Sequence, residues 1–123
     1  MDTESFKVLE YGKITNWLAA FAATMQGKER CRSVVPSGDY DEVARLHQET
    51  AEAVQILQVQ APPFGGVYDL RDILKKASMG AVLEIDELRS VMSTMCGMRN
   101  VKYFFRDLAL DVPHLKAMAK PIE

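Results

Sequence analysis

Three basic side chains near the end of the chain are the residues whose type and spacing could do chemistry. Arg99, Lys102 and Arg106 recur at steps of three and four, so a helix would align them along one stripe. Such a stripe can bind the phosphates of a nucleic acid or the carboxylates of an acidic partner. Stripes of this kind are more often solvated helix faces. The sequence therefore offers these residues only as a candidate contact.

Methionines accompany this basic stripe. Met92, Met95 and Met98 follow one another at helical spacing. Methionine is adaptable, so these side chains could form a contact surface, but methionine also fills irregular gaps in hydrophobic cores. We expect core at these positions, with Cys96 in or near it.

Nucleotide chemistry is not indicated. Gly27 and Lys28 resemble the end of a phosphate-binding loop, which needs a glycine five positions earlier and a Ser or Thr after the lysine. Those two positions hold Ala22 and Glu29. We therefore expect no nucleotide site and no bound cofactor in this chain.

The sequence also lacks the residue groupings that metal binding and nucleophilic catalysis usually require. Zinc needs three or four converging ligands, whereas Cys31, Cys96, His47 and His114 are isolated in sequence. His47 falls in a predicted helix and His114 in an expected loose tail, and no nucleophile lies near either. We expect two free thiols, no metal site and no catalytic residue.

Composition limits the class of protein. A chain of 123 residues with 48% hydrophobic content fits one domain, residues 1–123, with one core. The net charge of -2 gives no overall attraction to nucleic acid or to anionic membranes. There is no secretory signal and no apolar run of membrane-spanning length. We expect a cytoplasmic protein without a membrane partner.

The elements that position these residues are helices, because nothing alternates with the period of a strand. We predict an all-α bundle of five to six helices. The first covers residues 14–25 behind a short lead-in, and the others cover residues 26–34, 39–60, 69–78 and 84–108, with a short tail after Pro113. Asp39 should cap the third helix, with Glu42 completing a capping box.

Apolar stripes on the three longest helices are expected to face the core. They comprise Ile14, Trp17, Leu18, Phe21 and Met25 in the first, Val43, Leu46, Thr50, Ala53 and Leu57 in the third, and Leu88, Val91, Met92, Met95, Met98, Val101, Phe105 and Leu108 in the fifth.

A stiff corner separates the third and fourth predicted helices. It consists of Pro62, Pro63, Phe64, Gly65 and Gly66, with Asp69 and Arg71 adjoining it. Prolines exclude helix and glycines free the backbone, so this corner should set the angle between the two helices. Asp69 can cap the fourth helix, which Gly80 should end.

The ordered landmarks along the chain resemble a known family. They are Leu9-Glu10-Tyr11-Gly12-Lys13-Ile14, Gly27-Lys28-Glu29, Pro36-Ser37, Glu42-Val43, Glu49-Thr50, Glu52-Ala53, Pro62-Pro63-Phe64-Gly65-Gly66, Asp69-Leu70-Arg71, Leu74-Lys75-Lys76-Ala77, Gly80, Leu83, Glu87-Leu88 and Arg99. Together they resemble the amino-terminal core segment of bacterial MutS-family proteins of the second type, which carry a Smr nuclease tail. Gly12 and Glu84 depart from that pattern, where Asp and Ser or Thr are usual.

The resemblance implies that this chain is a fragment of a larger multidomain protein. Full-length members are homodimeric ATPases that use ATP and Mg, bind branched DNA and carry an endonuclease domain. They are implicated in DNA repair, recombination suppression and ribosome quality control. Their ATP-binding loop, clamp and nuclease would lie beyond residue 123. Partners of this chain would then be the remainder of its own polypeptide, with DNA, ribosome and the second subunit reached through other domains.

We therefore expect a non-catalytic coupling segment of the helical core. If parts of the fold are missing, the first and fifth helices should expose apolar surface. The alternative is a free-standing helical protein-interaction module that uses the methionine stripe as its groove. An ATP-binding loop downstream in the reading frame would decide between them.

Overall fold

The computed structural model describes residues 2–122, and every regular element among them is an α-helix. The helices are α1 (Thr3–Val8), α2 (Tyr11–Ala20), α3 (Met25–Arg32), α4 (Tyr40–Val59), α5 (Arg71–Ser78), α6 (Ile85–Asp107) and α7 (Pro113–Ala119). The all-α prediction is confirmed, with the lead-in and the tail each forming a short helix. The chain divides into two compact units, of which one ends at Pro36 and the other begins at Ser37. A single domain within a larger ATPase stays a prediction.

The first unit packs α2 against α3 through small side chains. Thr15 and Ala19 are the buried residues of α2, which packs mainly against α3. Lys28 of α3 reaches back, and its Nζ donates a hydrogen bond to the carbonyl of Ala19 at 3.1 Å. Thr24 caps α3 by accepting a hydrogen bond from the backbone N–H of Gly27 at 3.0 Å. Gly27 and Lys28 therefore serve to start α3 and to join it to α2.

The apolar stripe predicted to be buried in the first helix lies in solvent. Phe21 is 89% exposed, and Ile14, Trp17, Leu18 and Met25 are exposed as well. The prediction of burial is wrong here because α2 turns its small residues, and not this stripe, toward α3. Large side chains at Thr15 and Ala19 would hold the two helices apart.

Local hydrogen bonds set the start of α4. Asp39 caps it as predicted, since its Oδ1 accepts hydrogen bonds from the backbone N–H groups of Asp41, at 3.0 Å, and Glu42. The Glu42 carboxylate accepts from the hydroxyl of Ser37 instead of from the Asp39 backbone, so the predicted capping box is not closed. The Asp39 N–H donates to Ser37 Oγ at 3.2 Å.

Glu84 caps the start of α6, where the resemblance led us to expect Ser or Thr. Its backbone N–H donates to the carboxylate of Glu87 at 2.7 Å. Lys76 of α5 donates to the same carboxylate at 3.0 Å. The Glu84 N–H, and then Lys76, hold the pKa of Glu87 below its ordinary value.

The core of the second unit forms where α7 packs against both α4 and α6. Ile56 of α4, Val101 of α6 and Val112, which precedes α7, are its buried hydrophobic residues, together with Ala119. None of the helices within residues 2–122 combines the length and the apolar content needed to cross a bilayer.

A buried carboxylate ties α7 to α4. Glu52 is only 2% exposed, and it accepts hydrogen bonds from the backbone N–H groups of His114 and Leu115 at 3.0 and 3.3 Å. These N–H groups belong to the first turn of α7 and have no acceptor within that helix. His114 was expected in a loose tail, and this is wrong because Glu52 satisfies the helix start.

The same contact corrects the predicted seam of α4. The buried residues of α4 are Glu52 and Ile56, whereas Leu46 and Leu57 of the predicted stripe are exposed. The predicted stripe was chosen from the spacing of hydrophobic residues alone. The helix is instead rotated so that Glu52 can reach α7.

Candidate partner-binding face of α6

Residues of α6 together with Pro121 line an open groove of about 730 Å³, here called the α6 groove. The lining residues are Leu88, Val91, Met92, Met95, Cys96, Met98, Arg99, Lys102, Tyr103 and Pro121. The groove is therefore apolar along most of its length, and its basic side chains lie toward the carboxyl end of α6.

The methionines of this groove were predicted to be core, and that prediction is wrong. Met92 and Met95 are 63% and 65% exposed, and Met98 is exposed too. Cys96, expected in or near the core, is also exposed. The buried side of α6 carries Thr94, Gly97 and Val101 instead.

The three residues of the basic stripe differ in whether an acidic side chain of this chain pairs with them. Arg99 and Lys102 line the α6 groove, and no acidic side chain of residues 2–122 pairs with either. Arg106 is engaged, because its Nε donates to Asp107 Oδ1 at 2.8 Å and its guanidinium lies 4.5 Å from the centre of the Tyr103 ring. Asp107 raises the pKa of Arg106 above its ordinary value. Two cations of the predicted three are thus available to a partner.

A second, smaller groove of about 320 Å³ gathers cations that sequence reasoning missed. Lys116 and Lys120 join Lys102 and Arg106 there, with Phe105 and Ala119. Lys116 also donates from Nζ to the carbonyl of Leu108 at 2.8 Å. The spacing of four between Lys116 and Lys120 on a tail helix was the available signal.

The predicted corner docks against α6. Gly66 has a φ of +78°, a conformation that favours glycine. Ser93 Oγ donates to the carbonyl of Gly66 at 2.9 Å, and the backbone N–H of Tyr68 donates to Thr94 Oγ1 at 3.0 Å. These contacts attach the corner to the inward side of α6, a role that its sequence did not predict.

Gly97 makes this docking possible. It is buried in the middle of α6, and a Cβ added there would lie 2.8 Å from Val67 Cγ2 and 3.3 Å from the carbonyl oxygen of Gly65. A glycine inside a long helix usually costs stability, so its presence is a signal for close approach of another backbone. Sequence reasoning passed over Ser93, Thr94 and Gly97.

The remaining corner residues act locally. The N–H of Phe64 donates to the carbonyl of Pro62 at 3.0 Å, and Pro63 lies between them in the turn. Asp69 Oδ1 accepts from the backbone N–H of Arg71 at 3.1 Å and from its guanidinium Nε at 2.9 Å. The Arg71 side chain, and then its backbone N–H, lower the pKa of Asp69 to about 2. The prediction that Asp69 caps this helix is wrong, because Leu70 is the N-cap residue and makes no side-chain cap hydrogen bond. Asp69 instead accepts from the backbone N–H of the first helical residue, Arg71.

Residues 2–122 hold neither an assembled metal site nor a disulfide. No three His, Cys, Asp or Glu side chains of residues 2–122 are placed to hold a metal ion together. Cys31 and Cys96 are both free thiols, as predicted.

Several bacterial proteins named endonuclease MutS2 are similar in sequence to most of this chain. Endonuclease MutS2 of Bacillus cereus strain B4264 is 34% identical over 106 residues, which cover 85% of this chain and 14% of the relative. The protein of that name in strain ATCC 10987 is 33% identical over 116 residues, or 91% of this chain and 15% of the relative. In Bacillus thuringiensis strain Al Hakam the identity is 33%, over 85% of this chain and 13% of the relative.

The chain is related to the MutS2 endonucleases. It spans about one-seventh of the length of these curated MutS2 relatives. No protein-family model matches it.

Proposed function

We propose that this chain is a non-catalytic helical segment of a DNA-acting ATPase and nuclease of the MutS2 type, placed near the amino terminus of the longer protein. The observation that carries the proposal is the exposed apolar face on α2 and the second one on α6. Apolar patches of this kind mark surfaces that pack against other protein. Relatives about seven times longer supply the context in which such faces could be covered.

In this proposal the segment connects other parts of the longer protein and transmits conformational changes between them. Packed helices such as α4, α6 and α7 are stiff enough to pass a displacement from one part of a protein to another. ATP with Mg, branched DNA, the ribosome and the second subunit would be bound by other domains of the longer, cytoplasmic protein. The processes proposed for that protein are DNA repair, suppression of recombination and ribosome quality control.

A chimera tests the coupling role. The matching segment of the Bacillus cereus strain B4264 endonuclease MutS2 is replaced by this chain, and DNA-stimulated ATP hydrolysis is measured. We expect stimulation to persist in the chimera and to fall at least fivefold with Met92→Glu and Met95→Glu together, because charges in the α6 groove would prevent packing. Basal hydrolysis should change little. Lys75→Glu, on exposed α5 surface, is the matched control.

Two outcomes would contradict the proposal. One is DNA-stimulated hydrolysis that survives the methionine substitutions while the chimera stays folded. The other is stoichiometric micromolar ATP binding by the chain itself in calorimetric titration, which a non-catalytic coupling segment should not show.

A free-standing helical interaction module is the second candidate, and the exposed α6 groove favours it as a binding surface. The two candidates differ in what else the gene encodes. A phosphate-binding loop in the same reading frame supports the coupling segment, whereas a reading frame without one supports the free-standing module.

A further inference from the structure

We infer that the α6 groove receives an amphipathic helix that sets acidic side chains against Arg99 and Lys102, and that this helix comes from the same longer polypeptide. The inference rests on the proposed function, since it names the chemistry of what covers α6. It goes further in specifying the charge and the length of that segment.

The dimensions of the groove fit a helix. Its floor extends along α6 from Leu88 to Tyr103, which at the rise of an α-helix is about 22 Å or roughly four turns. Exposed Met92, Met95 and Met98 form the middle of this floor. Flexible thioether side chains adapt to the apolar ridge of a partner helix, as they do in other grooves that bind helices.

Charge sets the chemistry of the partner. Arg99 and Lys102 border the groove without an acidic partner among residues 2–122, while Glu87 near the other end is already paired with Lys76. An approaching segment therefore meets unbalanced positive charge at one end only. Carboxylates placed there would gain ion pairs that become stronger as the interface excludes water.

A second copy of this chain fits the groove less well. In a symmetric antiparallel pair of α6 helices centred on Met95, Arg99 and Lys102 would face Val91 and Leu88 of the second copy, which are apolar. Arg99 in particular would then be covered without a carboxylate opposite it, which is costly.

Nucleic acid also fits this surface poorly. Phosphates need cations along the path of the backbone, and Arg106 is committed to Asp107 while Lys116 is bonded to a carbonyl. The exposed methionines would gain nothing from a phosphate backbone. An acidic helix uses both the apolar floor and the basic end.

The test measures peptide binding by charge reversal. Two synthetic helices of about 18 residues share a leucine stripe and differ only in carrying Glu or Lys beside it. We expect the full chain to bind the Glu peptide at least tenfold more tightly than the Lys peptide by fluorescence anisotropy. Arg99→Glu with Lys102→Glu should invert this preference, and Met95→Glu should weaken both peptides. Arg89→Glu, on the same helix but outside the groove, is the control.

Cys96 reports occupancy of the same groove. In a Cys31→Ser background, saturating Glu peptide should slow alkylation of Cys96 at least fivefold, because the thiol lines the groove. Circular dichroism should show unchanged helix content in every variant.

Three results would overturn the inference: equal binding of both peptides, self-association abolished by Met95→Glu, or tighter binding of a 20-base-pair duplex that protects Cys96. The chimera can succeed while the peptides fail, so failure of this inference is distinguishable from failure of the proposed function.

Discussion

Glu52 accepts hydrogen bonds from the first turn of α7. Because Glu52 is buried, the loss of either bond should lower the stability of the fold. Replacing Glu52 with Gln keeps the shape but turns one acceptor oxygen into a donor that faces the N–H of Leu115. We expect a loss of about 1 to 3 kcal/mol in the free energy of unfolding, measured with urea. Glu49→Gln on the same helix breaks only the i,i+4 pair with Arg45, joined at 2.8 Å, and should cost less. Equal losses would mean that Glu52 does not organise α7.

Asp69 provides a titration signature for the start of α5. Because Arg71 lowers its folded pKa to about 2, the stabilising ionised form is fully present above the ordinary value of 3.8 and is lost as pH falls through about 2. We expect the carboxyl ¹³C shift of Asp69 to titrate near pH 2, and Arg71→Gln to move the midpoint back toward 3.8. Lys75→Gln should leave it unchanged. A wild-type midpoint near 3.8 would show that the pair does not persist in solution.

At the scale of elements, two helical glycines have opposite expected responses to alanine. A Cβ at Gly97 would press on Val67 and on the carbonyl of Gly65, whereas a Cβ at Gly12 in α2 meets nothing within 4 Å. We expect Gly97→Ala to destabilise the chain by about 1 to 3 kcal/mol and Gly12→Ala to stabilise it by up to about 1 kcal/mol. Thermal unfolding of both variants measures this. A gain at Gly97 would show that the corner does not dock closely on α6.

The corner itself is tested by its own pair of glycines. Gly66 has positive φ and Gly65 does not. Gly66→Val should therefore lower the free energy of unfolding by about 1 to 3 kcal/mol, whereas Gly65→Val, with no atom within 4 Å of its added Cβ, should change it much less. An unchanged thermal midpoint for Gly66→Val would indicate a loose loop.

These elements also show what sequence can and cannot predict. The start at Asp39 was predicted because a cap acts within a few residues, whereas only a tail, and not α7, was predicted after Pro113. The buried faces were not, because burial depends on contacts distant in sequence: Glu52 with His114, and Gly97 with Val67. Hydrophobic spacing on α6 correctly found an apolar stripe, but it cannot tell whether that stripe faces this chain or a partner. For the same reason, the sequence showed the basic stripe but not that Arg106 alone of its residues is paired with an acidic side chain of residues 2–122.

For the whole molecule, charge limits what the isolated chain can do with nucleic acid. Its net charge is -2, and the cations of α6 and α7 offer few phosphate contacts. We expect DNA binding no tighter than the non-specific range of roughly 0.1 mM to 1 μM, toward its weak end. In the chimera, Arg99→Ala, Lys102→Ala and Arg106→Ala together should change DNA affinity less than about tenfold. Anisotropy with branched DNA at two salt concentrations measures both.

The opposite result would be informative. Nanomolar, steeply salt-dependent binding by the isolated chain, lost in the triple variant, would make α6 a nucleic-acid site and contradict both the coupling role and the acidic helix.

The link between Glu52 and His114 also bears on the order of folding. The two residues are 62 positions apart, so bringing them together closes a long loop and loses chain entropy that neighbouring contacts do not. α4 can form from its own sequence and cap while its carboxylate is still hydrated. Because α7 supplies the N–H groups that Glu52 binds, we expect the final desolvation of this carboxylate to accompany the docking of α7. α7 is accordingly the element whose detachment would return that carboxylate to water while leaving the local contacts of α4 in place.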